Sequence, residues 1–445
     1  MKDYVVELMK EKKYSLVRKE VMELNSVDIA ELLEELETDY VVLLFRMLQK
    51  DVAVEVFAYL SNEQQKDIIN CITDREIKHI MEELFFDDMI DFLEEMPATV
   101  VRKILKNTKE EERRLINQFL NYPANSAGSL MTIEYVGLRK EMTVKQAMEH
   151  IKRIGLEKET IYTCYVMDEN RKLEGIVSLR KLVTSDDHKT VEEIMDTDVI
   201  FVNTHDDQEI IAHLFKKYDF MALPVVDKEN RLTGIITIDD IVDVIEQENT
   251  EDFHKMAAME PTEDEYLEAS VFSLAKKRTP WLFVLMISAI FTGSIINHFE
   301  SVLAAVVNLA VYMPMLMGTG GNAGSQSSTL IIRGMALGEI ELKDILRVIW
   351  KELRVSSIVG VILSVVNFIR LYFFQRVDIR IAVTVCSTLF VVIMLAKIVG
   401  GTLPIIARKL KLDPAIMASP FISTIVDAVS LFVYFTLASI FLGIA

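Results

Sequence analysis

Cysteine is nearly missing from this chain. Cys71, Cys164 and Cys386 are the only three in 445 residues, and they share no metal-ligating or redox spacing. That excludes a disulfide-built scaffold and suits a reducing compartment. Proline and glycine are scarce, 9 and 16 in all, which excludes collagen-like and low-complexity classes. The opening MKDYVVELMKEKK has no apolar signal-peptide region, so the front of the chain is expected to remain cytosolic. Positive charge is deficient there as well. Residues 1–275 carry 33 Lys and Arg against 59 Asp and Glu, a net charge of −26. Such a surface repels nucleic acid and attracts cations, so no nucleic-acid partner is expected. No nucleophile–base constellation or metal triad stands out in the apolar runs, so an enzyme is not expected.

What is present falls into four blocks. Over residues 1–122, ELLEELETDYVVLLF, VAVEVFAYL and DMIDFLEEM place apolar residues at helical spacing, and ELLEEL (31–36) recurs loosely as HIMEEL (79–84). The spacing predicts stacked helical hairpins. After the turn-rich NYPANSAGS, two copies of one pattern follow, at 126–188 and 189–246. TCYVMDENRKLEGIVSLRKLV is answered by LPVVDKENRLTGIITIDDIV, with Asp168 and Gly175 each 59 residues before Asp227 and Gly234. This is a tandem βαββα repeat, and the second copy resembles a cystathionine-β-synthase (CBS) domain. The resemblance implies a regulatory pair that often binds adenosine nucleotides through a Thr-x-Asp. The second copy keeps Thr237 and Asp239, with Phe220 nearby, whereas the first has Ser178 and Arg180. ATP binding and a purely structural platform are equally compatible with that pattern. DDIVDVIEQENTEDFHKMAAME then predicts a long acidic helix ending near Pro261, within an acidic linking segment, 247–275.

From Lys276 onward the balance reverses, to 15 basic and 8 acidic residues. Five apolar runs follow: 281–296, 302–332, 355–374, 381–406 and 414–445. Most reach the roughly 20 residues that a bilayer core requires. With the front of the chain inside, eleven Lys and Arg flank the inner ends and three the outer loops, in keeping with the positive-inside rule.

The second run contains GTGGNAGSQ, Gly318–Gln326, with Pro314 at its head. Gly318-x-Gly320-x-x-Ala323 formally fits a dinucleotide-binding fingerprint, but no strand precedes it and a phosphate loop there would be unhydrated. Close helix packing explains small residues. It does not explain Asn322 and Gln326, whose amides are costly in hydrocarbon unless they face a partner or water. Pro314 and the glycines are expected to weaken the helix and expose carbonyls along a cation path. In the fifth run, Asp427 is the only acid in SPFISTIVDAVSL, and Ser419, Ser423 and Thr424 precede it at helical spacing. An oxygen-rich stripe without Cys or His suits a hard cation such as Mg²⁺. Lys397 lies at roughly the same depth; it either pairs with Asp427, faces another groove or snorkels.

This arrangement resembles the MgtE family of magnesium channels and transporters over essentially the whole chain, most specifically at YMPMLMGTGGNAGSQSSTLIIR and SPFISTIVDAVSL. The resemblance implies a homodimer in the plasma membrane, importing Mg²⁺ down its electrochemical gradient. Its central pore would be lined by the second and fifth membrane helices, with Asp427, Gly318, Asn322, Ser325, Ser419 and Ser423 around the ion. It also implies closure by cytosolic Mg²⁺. The acids concerned would be Glu55, Asp87 and Asp91 in the helical domain, and Asp207, Glu209, Asp219, Asp240 and Asp243 in the second CBS copy. Glu248, Glu251 and Asp252 on the linking helix complete the set. Ser419, where an asparagine is often found, and Lys397 depart from the pattern. The competing reading is a proton-coupled carrier for divalent cations, including Co²⁺, with Asp427 cycling its proton. The expected fold is thus a multidomain membrane protein: an all-α repeat domain, an α/β CBS pair, a linking helix and an all-α domain of five membrane helices (276–445).

Overall fold

The computed structural model describes residues 1–262, 266–267, 269–417 and 419–443. It divides into two compact units, Met1–Ile245 and Glu246–Ala445.

The first unit begins, among the described residues, with ten short helices between Lys2 and Phe119. Ser26–Glu34 packs on Lys50–Ala58, which packs on Asp74–Glu83, which packs on Ala98–Asn107. Helices that contact the next but one form a solenoid, because no single amphipathic hairpin buries its own apolar face. Local chemistry sets the boundaries: Asn25 accepts from the Asp28 N–H, and Thr73 and Glu76 form a capping box. Each cap contributes about 1 kcal/mol. Helix α1 (Phe86–Glu95) matters most for function. Phe86 packs edge-on against Phe119 with centroids 4.6 Å apart, Phe119 meets Tyr122, and Tyr122 meets His205. One hydrophobic core continues from Val5 through this aromatic chain to Val244. Burying each large ring is worth about 1.5–3 kcal/mol, and together they hold the start of α1 against the second repeat.

The tandem repeat is βαββα in both copies. In the first, β1 (Val136–Leu138), helix α2 (Val144–Ile154), β2 (Thr163–Met167) and β3 (Leu173–Ser178) give a sheet of order β1-β2-β3. In the second, β4 (Val202–Asn203), α3 (Gln208–Tyr218), β5 (Ala222–Val226) and β6 (Leu232–Thr237) repeat it, and α4 (Ile238–Met256) follows. In each sheet the first pair is parallel and the second antiparallel. Asp168 and Asp227 do the same work, each accepting two backbone N–H groups of the hairpin turn that follows. The segments leading into the copies cross over. Thr132 bridges to Ile235 in the second sheet, and Asp196 to Ile176 in the first. A Cβ on Gly175 would lie 2.9 Å from the Asp196 carbonyl, and one on Gly234 2.5 Å from that of Thr132. The glycines are there to admit a crossing backbone.

Helix α4 ends at Met256 rather than near Pro261, and Ala258 adopts a left-handed φ of 53°. The expected linking helix over 247–275 is therefore confined to its first third, and the next helix starts at Val271. The acidic residues 263–265 and 268 lie outside the described residues.

The second unit contains five long helices: α5 (Val271–His298), α6 (Met313–Ala336), α7 (Ile345–Ile369), α8 (Ile379–Lys409) and α9 (Ser419–Leu442). Among the described residues, the stretches 271–298, 342–374, 379–409 and 414–442 are long and apolar enough to cross a membrane. Helix α6 has the length, with 24 residues, but its Gly, Ser, Asn and Gln lower its apolarity. It packs on both α8 and α9. The second apolar run is not one element: a short helix Glu300–Ala305 and a tight turn, Val307–Tyr312, precede α6.

The weakening expected at Pro314 and the glycines does not occur. Pro314 sits in the first turn of α6, where its missing N–H costs nothing, and the helix continues unbroken through all four glycines. Lipid offers no hydrogen-bond partner to a released carbonyl, so keeping the helix intact is the cheaper solution.

Candidate ion-binding sites

Three of the four glycines are contact points. A Cβ on Gly320 would meet Val392, Val426 and Ser430; on Gly321, Ser423 at 3.1 Å; on Gly324, Ile422, Val426 and the Ala396 carbonyl. Ser328 donates to the Met417 carbonyl at 2.8 Å. As α6 advances from Gly320 to Ser328, its neighbours retreat from Ser430 on α9 to Met417 in the turn before α9. The two helices are therefore antiparallel, and Asp427 is level with the turn Gly318–Gly321. Gly318 differs from the other three, since nothing lies within 4 Å of its Cβ position.

The opposite face of α6 is polar. Gly318, Asn322 and Gln326, at i/i+4 spacing, are exposed in the single chain, with Ser325 half-buried beside them. On α9, Ser423 and Asp427 are half-buried, and the Thr424 hydroxyl is taken by the Pro420 carbonyl of its own helix. The Ser419 side chain lies outside the described residues. Ser430, one turn beyond Asp427, is fully buried with an unpartnered Oγ; an isolated serine in an apolar run gave no reason to select it. Lys397 does not go to Asp427. It points into the groove between α6 and α7, where its Nζ donates to Ser327 Oγ at 3.4 Å.

The first unit gathers a carboxylate cluster. Asp87 is buried at the start of α1 and Asp88 is half-buried beside it; Asp239 and Asp240 open α4, Glu134 precedes β1, and Glu159 follows α2. Burial, then repulsion from Asp240, Asp88 and Glu159, pushes the Asp87 carboxyl well above the usual range. Burial, followed by Asp239 and Glu134, raises Asp88 to about 6. Burial, with Asp239, Asp240, Asp88 and Glu134, raises Glu159 to about 7, and its Oε2 is buried without a hydrogen-bond partner. Burial and Asp239 raise Asp240 to about 7 against a bond from the Thr237 hydroxyl. Like charges held out of water disfavour ionisation unless a cation joins them.

The other acids singled out from sequence are dispersed. Glu55 is exposed, accepts from Ser26 Oγ at 2.6 Å, and lines a separate cavity of about 570 Å³ with Asn25, Asp28 and Tyr59. Asp91, one turn after Asp87, is exposed, as are Asp207, Glu209, Asp219 and Asp243. Asp207 caps the N-terminus of α3 and Asp219 its C-terminus in a left-handed conformation, about 18 Å apart along the helix. Phe220 stacks on Tyr218, and the Thr237 hydroxyl is committed to Asp240. Among the described residues, no three His, Cys, Asp or Glu side chains meet as a direct metal cage.

In the second unit, Lys255 donates to Asp413 at 2.6 Å and to Glu251. Burial opposes its charge, but the two carboxylates outweigh burial and raise its pKa. Burial and Asp413 raise the neighbouring Asp252, while Lys255 and Arg333 draw it back. Glu248 is half-buried one turn earlier. Asp413, in the turn between α8 and α9, carries no motif of its own, and only the folded chain brings it to the linking helix.

A five-helix apolar unit joined to a carboxylate-rich unit that contains a CBS-like repeat points to a class, the membrane transporters of cations. Residues 313–437 match the family described as divalent cation transporter, 24–125 the MgtE intracellular N domain, and 127–187 and 191–247 the CBS domain. The chain is 38% identical to the magnesium transporter MgtE of Thermus thermophilus, covering 96% of this chain and 95% of that one. It is 34% identical to the Bacillus subtilis magnesium transporter MgtE, over 98% and 96% of the two chains. A crystal structure of the cytosolic domain of the Mg²⁺ channel MgtE in complex with ATP covers 55% of this chain and all of its own, at 35% identity and a TM-score of 0.52. The soluble part of a magnesium transporter aligns over 55% of this chain at 31% identity and a TM-score of 0.51. The chain belongs to the MgtE family of magnesium transporters, which are not enzymes.

Proposed function

We propose that this protein is a Mg²⁺ channel of the plasma membrane. It imports the ion down its gradient and closes when cytosolic Mg²⁺ rises. The observation that carries the reading is Asp427, half-buried in an apolar helix and level with Gly318, beside the exposed polar face of α6. An amide-bearing face has no place against lipid. It is satisfied if it lines a water-filled path, and a second copy of the chain closes that path. Gly318, Asn322 and Ser325 on α6, with Ser419, Ser423 and Asp427 on α9, then surround a hydrated ion. Mg²⁺ keeps its inner waters readily, so the carboxylate and the amide and hydroxyl groups act through them. Mg²⁺ flux into proteoliposomes, with Co²⁺, Ni²⁺ and Ca²⁺ as competitors and an imposed proton gradient, tests this. Flux that depends on the proton gradient would favour a carrier and overturn the channel.

Regulation follows from the carboxylates. Asp87, Asp88, Glu134, Glu159, Asp239 and Asp240 repel one another until a hydrated divalent ion sits among them, so ion binding favours the packed state. Asp91, Asp207, Glu209, Asp219, Asp243 and Glu55 add an outer field, and at the linking helix Glu248 and Asp252 stand beside the Lys255 tie to Glu251 and Asp413, which an arriving ion would compete with. ATP binds at the second CBS copy through Phe220, Thr237 and Asp239, a reading supported by the ATP complex of the related cytosolic domain. ATP titration of the full chain and of Asp239→Ala checks it, and equal affinity would remove the assignment.

A further inference from the structure

Three helices of the second unit meet at a buried polar chain that the proposed pore does not use. Ser327 on α6, Glu352 on α7 and Lys397 on α8 are 1%, 9% and 5% exposed. Ser327 Oγ donates to Glu352 Oε2 at 2.6 Å, and Lys397 Nζ donates to Ser327 Oγ at 3.4 Å. Gly401, one turn beyond Lys397, makes room for the acid: a Cβ there would stand 3.1 Å from Glu352 Cγ. The Glu352 stem therefore lies along α8, with its head towards Ser327. Ser327 is turned about 100–140° around α6 from Gln326 and Asn322, and its partners are on α7 and α8, so this niche is distinct from the Asp427 stripe.

A buried carboxylate with a hydroxyl at 2.6 Å is half of a cation site; what it needs is positive charge. We propose that Lys397 is a tethered counter-ion occupying a second cation niche, buried among these helices and formed by Glu352 and Ser327. Its ammonium stands where a mobile cation would otherwise be drawn. The consequence, which rests on the channel reading, is that Asp427 is left, among the described residues, as the half-buried acid of the five helices open to the transported ion. Lys397 acts here through charge: an ammonium on a flexible stem joins the acid through the serine hydroxyl and leaves no vacancy for Mg²⁺ or Na⁺.

The test is a charge-deletion cycle on the full-length chain in detergent, followed by thermal melting with and without millimolar Mg²⁺ or Na⁺. Lys397→Met is expected to melt several degrees below the native chain without added cation. Added cation should then raise its melting temperature by more than it raises that of the native chain. Adding Glu352→Gln should restore most of the loss and abolish the extra rise. Simple addition of the two losses, or a cation response equal to the native one, overturns the proposal. If Lys397→Met alone does not fold, a folded Lys397→Met/Glu352→Gln double variant supports it and an unfolded one overturns it. The extra rise should persist in Lys397→Met/Asp427→Asn. Its loss there would place the gained cation at Asp427 and overturn the second niche. The Asp427→Asn chain alone separately tests the pore.

Discussion

Gly324 of α6 and Gly400 of α8 meet backbone to backbone: a Cβ on Gly400 would collide with the Gly324 carbonyl. No side chain fits between the two helices at that point, and the closeness sets the angle at which α6 presents its polar face.

The contact predicts opposite outcomes for two glycine substitutions. Gly400→Val forces α6 and α8 apart and is expected to cost at least the 1–3 kcal/mol typical of overpacking, roughly, read as a lowered melting temperature in detergent. Gly318→Ala meets open space inside a helix and should raise melting slightly. A stable Gly400→Val chain would show that this contact is not structural.

Asp427→Ala is expected to abolish Mg²⁺ uptake into proteoliposomes, with melting temperature and dimer content near native. Removing a half-buried acid in an apolar helix relieves a desolvation cost, so instability would not explain the loss. Native-level uptake would end the pore assignment.

The carboxylate cluster makes the first unit sensitive to pH with a definite sign. Folded-state pKa values of about 6 for Asp88 and about 7 for Glu159 and Asp240 stand above the ordinary carboxylate range. Raised acids favour folding fully below their unfolded values and lose that contribution as pH rises through the folded ones. Without Mg²⁺, stability of the packed state should fall from about pH 4 to pH 7. Mg²⁺, competing with those protons, should protect more at pH 8 than at pH 5.5. A Mg²⁺ effect independent of pH, measured by melting or proteolysis, would contradict this.

Neutralising the cluster should uncouple it from Mg²⁺. In Asp87→Asn/Asp240→Asn, proteolysis of residues 1–260 without Mg²⁺ should be slower than in the native chain, and millimolar Mg²⁺ should add little protection. Native-like Mg²⁺ dependence would mean that the ion binds elsewhere.

Asp413→Asn removes one of the two carboxylates bonded to Lys255. Breaking the tie is expected to leave transport more active at high cytosolic-side Mg²⁺, seen as flux persisting where the native protein has closed. Unchanged closure would confine sensing to the first unit.

Much of this was legible in the chain. The 59-residue repeat became two like sheets, with Asp168 and Asp227 organising matching turns. Asp427 stood out because a lone acid in an apolar helix is conspicuous in one dimension. Glu134, Glu159 and Asp413 did not, since each is an ordinary acid in sequence and gains significance only from carboxylates remote along the chain. Lys397 was visible but its partner was not: depth along a helix says nothing about which groove a side chain enters.

Residue order alone determined the helical front, the repeat and four of the five membrane-length runs, because hydrophobic periodicity and charge distribution are local properties of a chain. Tertiary structure decided that the glycines of α6 are contact points within an intact helix, that Asp87 faces Asp240, and that Lys397 answers Glu352 through Ser327 rather than Asp427. Those are matters of which surfaces meet, and close packing admits only pairings whose shapes and charges both fit.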